Sequence, residues 1–183
     1  MSPNDKKVQQ IKLFTEIYNK EVDAIFRFAL LRVSDREKAM DLTQDTFARF
    51  WDVLSGEGSS VIENQRAFIF KIVRNLIIDW YRKKKSVSLE SLTEDDSRET
   101  DYLLTDKKSL NHEMSSEARY ILEKISELDP MYQQVVYMRF VEDMKPKEIS
   151  EIIGQSVNVV SVRITRGIEQ LRKITGYEKK DNE

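Results

Sequence analysis

Residues 146–171 read P-K-E-I-S-E-I-I-G-Q-S-V-N-V-V-S-V-R-I-T-R-G-I-E-Q-L. Pro146 opens a short segment in which Ile149, Ile152 and Ile153 recur at helical steps. Gly154 breaks it, and Ser156 is placed to cap a new helix by accepting a backbone N–H bond. That helix carries Val157, Val160, Ile164, Ile168 and Leu171 on its apolar side. A short helix, a sharp turn and a longer helix have helix-turn-helix spacing, with Ser150 small where two helices cross closely. The second helix is expected to enter a DNA major groove, with Ser156, Asn158, Ser161, Val162, Arg163, Thr165 and Arg166 as candidate contacts. Arginine forks onto guanine, asparagine pairs with adenine, and threonine or valine touches a thymine methyl. An ordinary helical hairpin with a solvated basic face is the alternative. Lys145 stands where an acceptor cap is usual and cannot serve as one; Pro146 compensates in part by removing an orphan donor.

Working back from this stretch, Asp129-Pro130 reads as a helix start, with Asp129 as cap and Pro130 at the first helical position. Val135, Val136 and Phe140 follow on that helix, and Ile121, Leu122, Ile125 and Leu128 form the stripe of the one before it, which begins near Ser116. Residues 86–114 are rich in Ser, Thr, Asp and Glu and poor in apolar residues, so a flexible linker is expected, with a short helix near Tyr102–Leu104. His112, the single histidine, falls there with no co-ligand or orienting partner in view.

The N-terminal half repeats the helical pattern without repeating the sequence. Ile11, Phe14, Tyr18, Val22, Ile25 and Ala29 make one stripe. Ser34-Asp35-Arg36-Glu37 reads as a capping box with Ser34 as cap. The helix it opens carries Ala39, Leu42, Phe47, Phe50, Trp51 and Leu54, and the Gly/Ser-rich stretch 55–60 ends it. Asn64 is placed to cap a helix over 65–84, with Ile69, Ile72, Val73, Leu76, Ile77 and Trp80 buried and Arg82-Lys83-Lys84-Lys85 at its end. The fold class expected is all-α: two small helical domains, over 8–85 and 115–176, joined by an acidic linker over 86–114.

Composition agrees with this and narrows the function. Only 5 Gly and 3 Pro interrupt 183 residues. There is no cysteine, which excludes disulfides and thiolate metal sites. No apolar run approaches the ~20 residues of a membrane span, and Met1 to Gln10 lacks a signal-peptide core. A cytoplasmic protein without membrane insertion is expected. The net charge of −2 hides a pattern: residues 66–85 carry +6, residues 86–117 carry −6 and residues 145–180 carry +4. Two basic segments around an acidic one suit nucleic-acid binding. In the 65–85 helix, Lys71, Arg74 and Arg82 lie off the apolar stripe among Phe68, Phe70, Trp80 and Tyr81, so phosphate contact and base stacking are both open to it. Asp41, Gln44 and Asp45 share a polar helix face. Without a histidine, nucleophile or third carboxylate beside them, they read as a protein-docking face rather than an acid/base pair, with a plain solvated face as the alternative. No enzyme activity, cofactor or metal is expected.

The run D-L-T-Q-D-T-F-A-R-F-W, followed by A-F-I-F-K-I-V-R-N-L-I-I-D-W-Y-R, resembles region 2 of extracytoplasmic-function (ECF) sigma factors. The segment L-D-P-M-Y-Q-Q-V-V-Y-M-R-F, then K-E-I-S-E-I-I-G-Q-S-V-N-V-V-S-V-R-I-T-R-G-I-E-Q-L-R, is similar to their region 4. Order and spacing agree over about residues 10–175. The resemblance implies an alternative sigma factor that binds RNA polymerase core through the clamp helices and flap, recognises promoter DNA, and is held by an anti-sigma factor. It implies core binding by Asp41, Gln44, Asp45 and Arg49, and minus-ten recognition by Ser60, Val61, Asn64, Lys71, Arg74, Asn75 and Asp79. It also implies minus-thirty-five recognition by Ser156, Asn158, Ser161, Val162, Arg163, Thr165 and Arg166. The loop from Ser55 to Glu63 departs in composition from many relatives, so the captured base is not read from it. A helix-turn-helix regulator that works without polymerase core, and a helical adaptor, are the rival readings.

Overall fold

A computed structural model describes residues 3–56, 62–88 and 116–176. Ser60, Val61, the helix expected near Tyr102–Leu104 and His112 lie outside the described residues. Seven helices are found among the described residues: α1 (Pro3–Val33), α2 (Arg36–Ser55), α3 (Gln65–Ser88), α4 (Ser116–Ser126), α5 (Pro130–Phe140), α6 (Pro146–Ile153) and α7 (Val157–Thr175). The chain divides into two compact units, Met1–Thr93 and Glu94–Glu183.

In the first unit α1, α2 and α3 pack against one another. Ile25, Phe28, Ala29, Ala39, Phe50, Ile69, Phe70, Val73 and Ile77 are each no more than 1% exposed. Each large aliphatic or aromatic side chain so buried contributes about 1.5–3 kcal/mol relative to exposure. Phe14, Tyr18, Phe47, Phe50 and Trp51 form an aromatic cluster between α1 and α2, with Phe14 and Trp51 edge-to-face at 5.3 Å. The outer edge of the α1 stripe departs from expectation: Ile11 is 47% and Tyr18 40% exposed. The 31 residues of α1 outrun the 20 of α2, and Gln10, whose amide donates to the Leu54 carbonyl at 2.8 Å, marks where α2 ends beside it. Trp51 and Trp80 are half-buried rather than core.

The cap of α2 is one residue later than expected. Ser34 takes a left-handed conformation (φ 54°) and closes α1. Asp35 is therefore the extended residue before α2, and its carboxylate accepts the Lys38 N–H at 3.0 Å. Asn64 caps α3 as expected, its side-chain oxygen accepting the Ala67 N–H at 3.0 Å. α3 runs to Ser88, past the expected end at 84.

In the second unit α5 is the central helix, packed by α4, α6 and α7. Gln133 through Met138 are all buried. Phe140, at the end of α5, is 56% exposed, and Val157 at the start of α7 is 42% exposed; both were expected inside. Asp129 precedes α5 as expected, but its side chain makes no cap bond, and Pro130 alone sets the start.

Candidate polymerase and promoter interfaces

The outer face of α2 is built by turning its threonines inward. The Thr43 and Thr46 hydroxyls donate to the Ala39 and Leu42 carbonyls at 2.7 and 2.6 Å and are buried. Asp41, Gln44, Asp45 and Arg49 are all exposed. Asp41 pairs with Lys38 at 3.6 Å, but its side chain is 64% exposed, so the pair is worth little and leaves the carboxylate available. Asp52 extends the same arc, being seven residues beyond Asp45, and is exposed too. Sequence reading missed it, although the step of seven was visible.

On α3, Lys71 and Asn75 are exposed one turn apart, and Asp79 lies one turn further on. Asp79 accepts from the Arg82 guanidinium at 2.9 Å. Arg74 is separated from Asn75 by about 100° around the helix; it is half-buried with its Nε enclosed. The structure thus groups Lys71, Asn75 and Asp79 on one face and sets Arg74 aside from it. Asn64 commits its side-chain oxygen to the cap of α3.

Besides the Phe28–Phe70 ring contact, two polar contacts join α3 to α1, and neither was legible in the sequence. Glu21, 4% exposed, accepts from Arg66 Nε at 2.9 Å, and the guanidinium lies over the Phe70 ring. Near the other end the Tyr81 hydroxyl donates to the Arg32 carbonyl. Arg32 is itself 1% exposed, with its guanidinium 4.5 Å from the centre of the Phe28 ring. With the buried Phe70, Val73 and Ile77, they help to hold the helix that carries Lys71, Asn75 and Asp79.

In the second unit, α6 starts with half a capping box. The Glu148 carboxylate accepts the Lys145 N–H at 2.8 Å, while the Lys145 ammonium has no lone pair to return the bond. Gly154 takes φ 68°, and its N–H and that of Gln155 both donate to the Ser150 carbonyl. Ser156 then caps α7, accepting the Val159 N–H at 3.3 Å. Asn158, Ser161, Val162, Thr165 and Arg166 share the exposed arc of α7. The Ser161 and Thr165 hydroxyls donate back to the Val157 and Ser161 carbonyls, so they offer lone pairs, and the Thr165 methyl, to a partner. Arg163 is half-buried at the border with α5, in a groove it lines with Met131, Tyr132, Val159 and Arg166. Glu169, beside Thr165 and Arg166, is a further exposed residue of this arc.

Known proteins match both units. The model of sigma-70 region 2 matches residues 17–87, and that of sigma-70 region 4 matches residues 118–171. The ECF RNA polymerase sigma factor SigW of Bacillus subtilis (strain 168) is 26% identical over 181 residues, covering 92% of this chain and 94% of that protein. RNA polymerase sigma factor SigV of the same organism is 28% identical over 169 residues, covering 91% and 94%. The sigma factor RpoE in its co-crystal with the anti-sigma factor NepR from Bartonella quintana shares the fold, with TM-score 0.69 at 19% identity over 92% of this chain and 99% of that one. Among the described residues, no helix is long and apolar enough to cross a membrane. With region 2 and region 4 matched in order and relatives aligned over nearly their whole length, the chain belongs to the ECF sigma factors.

Proposed function

We propose that this chain binds RNA polymerase core, directs it to promoters and helps melt the minus-ten region. The observation that carries this is the presence of three separately presented faces in one chain: the acidic arc of α2, the polar arc of α3 and the capped helix α7. Asp41, Gln44, Asp45 and Arg49, with Asp52, dock on the clamp helices, where an acidic face meets a basic partner. Lys71, Asn75 and Asp79, helped by Ser60, Val61, Asn64 and Arg74, contact the minus-ten element. Asn158, Ser161, Val162, Thr165 and Arg166 read the minus-thirty-five element, with Ser156 setting the helix start and Arg163 at the edge of the contact. Residues 8–85 and 115–176 are the two working domains, and 86–114, with most of the −6 charge, is the strap between them. An anti-sigma factor holds the protein in reserve; the sigma factor in the Bartonella quintana structure is bound by one. Work with polymerase places the protein in the cytoplasm.

Reconstituted transcription tests the proposal. Core polymerase plus this chain, given genomic fragments of the source organism, should start RNA at defined sites absent with core alone. A chain that binds DNA but is never retained by core would favour the regulator reading instead.

A further inference from the structure

The tightest approach at any described glycine is on the hidden side of α7. A Cβ built on Gly167 would stand 2.5 Å from Val136 Cγ2 and 3.1 Å from Tyr132 Cβ, both on α5. Real side chains do not approach so closely, so α7 reaches its place only because residue 167 has no side chain. The residue is fully packed, and it sits in mid-helix, where glycine costs about 1 kcal/mol relative to alanine. The helix bears that cost for the sake of the crossing.

The surroundings say what the crossing controls. One turn toward the C-terminus, Gln170 Oε1 accepts the Asp129 N–H at 3.2 Å, tying α7 to the start of α5. One turn toward the N-terminus, Arg163 lies beside Met131 and Tyr132. This ridge of α7 is the one that meets α5. Asn158, Ser161, Val162 and Thr165 belong to the exposed arc of the helix, with Asn158 and Val162 at its edge toward the Met131–Tyr132 groove. Anything that lifts α7 from α5 therefore displaces the exposed arc relative to the rest of the unit.

We infer that Gly167 is a positioning residue for promoter recognition: its missing side chain sets the depth and rotation at which α7 is presented to the minus-thirty-five element. This rests on the reading of α7 given above. Gly167 touches no DNA in this account; it acts through Val136 and Tyr132 on the residues that do.

The test uses full-length chain with polymerase core on two templates, a mapped promoter of the source organism and the same promoter with its upstream element scrambled. The readout is the ratio of initiation on the two. Gly167→Ala should lower that ratio about tenfold, the scale of one lost base contact, while initiation on the scrambled template and retention by core stay as in the parent. Val136→Ala in the same chain removes Cγ2 and should restore the ratio to within about threefold, the residual coming from the 3.1 Å approach to Tyr132. Circular dichroism melts of each variant separate misplacement from unfolding, and if Gly167→Ala alone does not fold, the double variant decides. A parental ratio for Gly167→Ala, or a folded double variant without recovery, overturns the inference. Arg166→Ala isolates the reading beneath it: if Arg166→Ala also leaves the ratio at the parental value, α7 does not read the element at all. A normal ratio for Gly167→Ala beside a lowered one for Arg166→Ala condemns the positioning role alone.

Discussion

Ser156 holds two jobs that a pair of substitutions can separate. Its hydroxyl caps α7, and it stands where that helix start would face DNA. Ser156→Ala should lower the stability of the second unit by about 1 kcal/mol, read as a shift in the midpoint of urea unfolding. Ser156→Asp keeps an acceptor and suits the helix dipole, so stability should hold, but its charge opposes phosphate and DNA affinity should fall. On α2, Asp41→Lys and Asp45→Lys should each weaken retention by polymerase core about tenfold. Unfolding free energy should change by no more than about 0.5 kcal/mol, because both side chains are exposed. Loss of stability in step with loss of retention would speak against a docking role.

At the scale of elements, α6 is a helix of eight residues held by three isoleucines. Ile152→Ala should cost about 2–4 kcal/mol, and chemical denaturation followed by far-ultraviolet dichroism should show it. Such periodic segments are what a sequence displays well: the isoleucines of α6, the Gly154 turn and the Ser156 and Asn64 caps all depend on neighbours within a few positions. Residues whose burial depends on distant chain were misplaced. Ile11 and Tyr18 fit the α1 stripe, yet they stay 47% and 40% exposed, although the Tyr18 ring meets Phe47 of α2; Phe140 fits the α5 period, yet is 56% exposed. The Glu21–Arg66 pair joins positions 45 apart, and no local pattern announces it. The same limit divided the candidate site. The exposed arcs of α2 and α7 follow from helical geometry and were largely legible. The half-burial of Arg74 and Arg163, and the close approach at Gly167, depend on which neighbouring helix lies behind each residue.

For the whole molecule the charge pattern carries the argument. A chain of net charge −2 gains little from DNA as an average object; on the proposed reading it gains from Lys71, Arg166 and their neighbours, concentrated on particular faces. If Lys71 meets a phosphate, Lys71→Ala should reduce the slope of log affinity against log salt for promoter binding by about one. An unchanged slope would remove Lys71 from the phosphate contacts. The division of labour between the two units also predicts what a promoter complex looks like. Polymerase core with this chain, bound at a mapped start site, should protect the upstream element from nuclease and at the same time render thymines near the minus-ten element reactive to permanganate. Protection upstream with every thymine still paired, or no site-specific complex beyond that of core alone, would contradict the account.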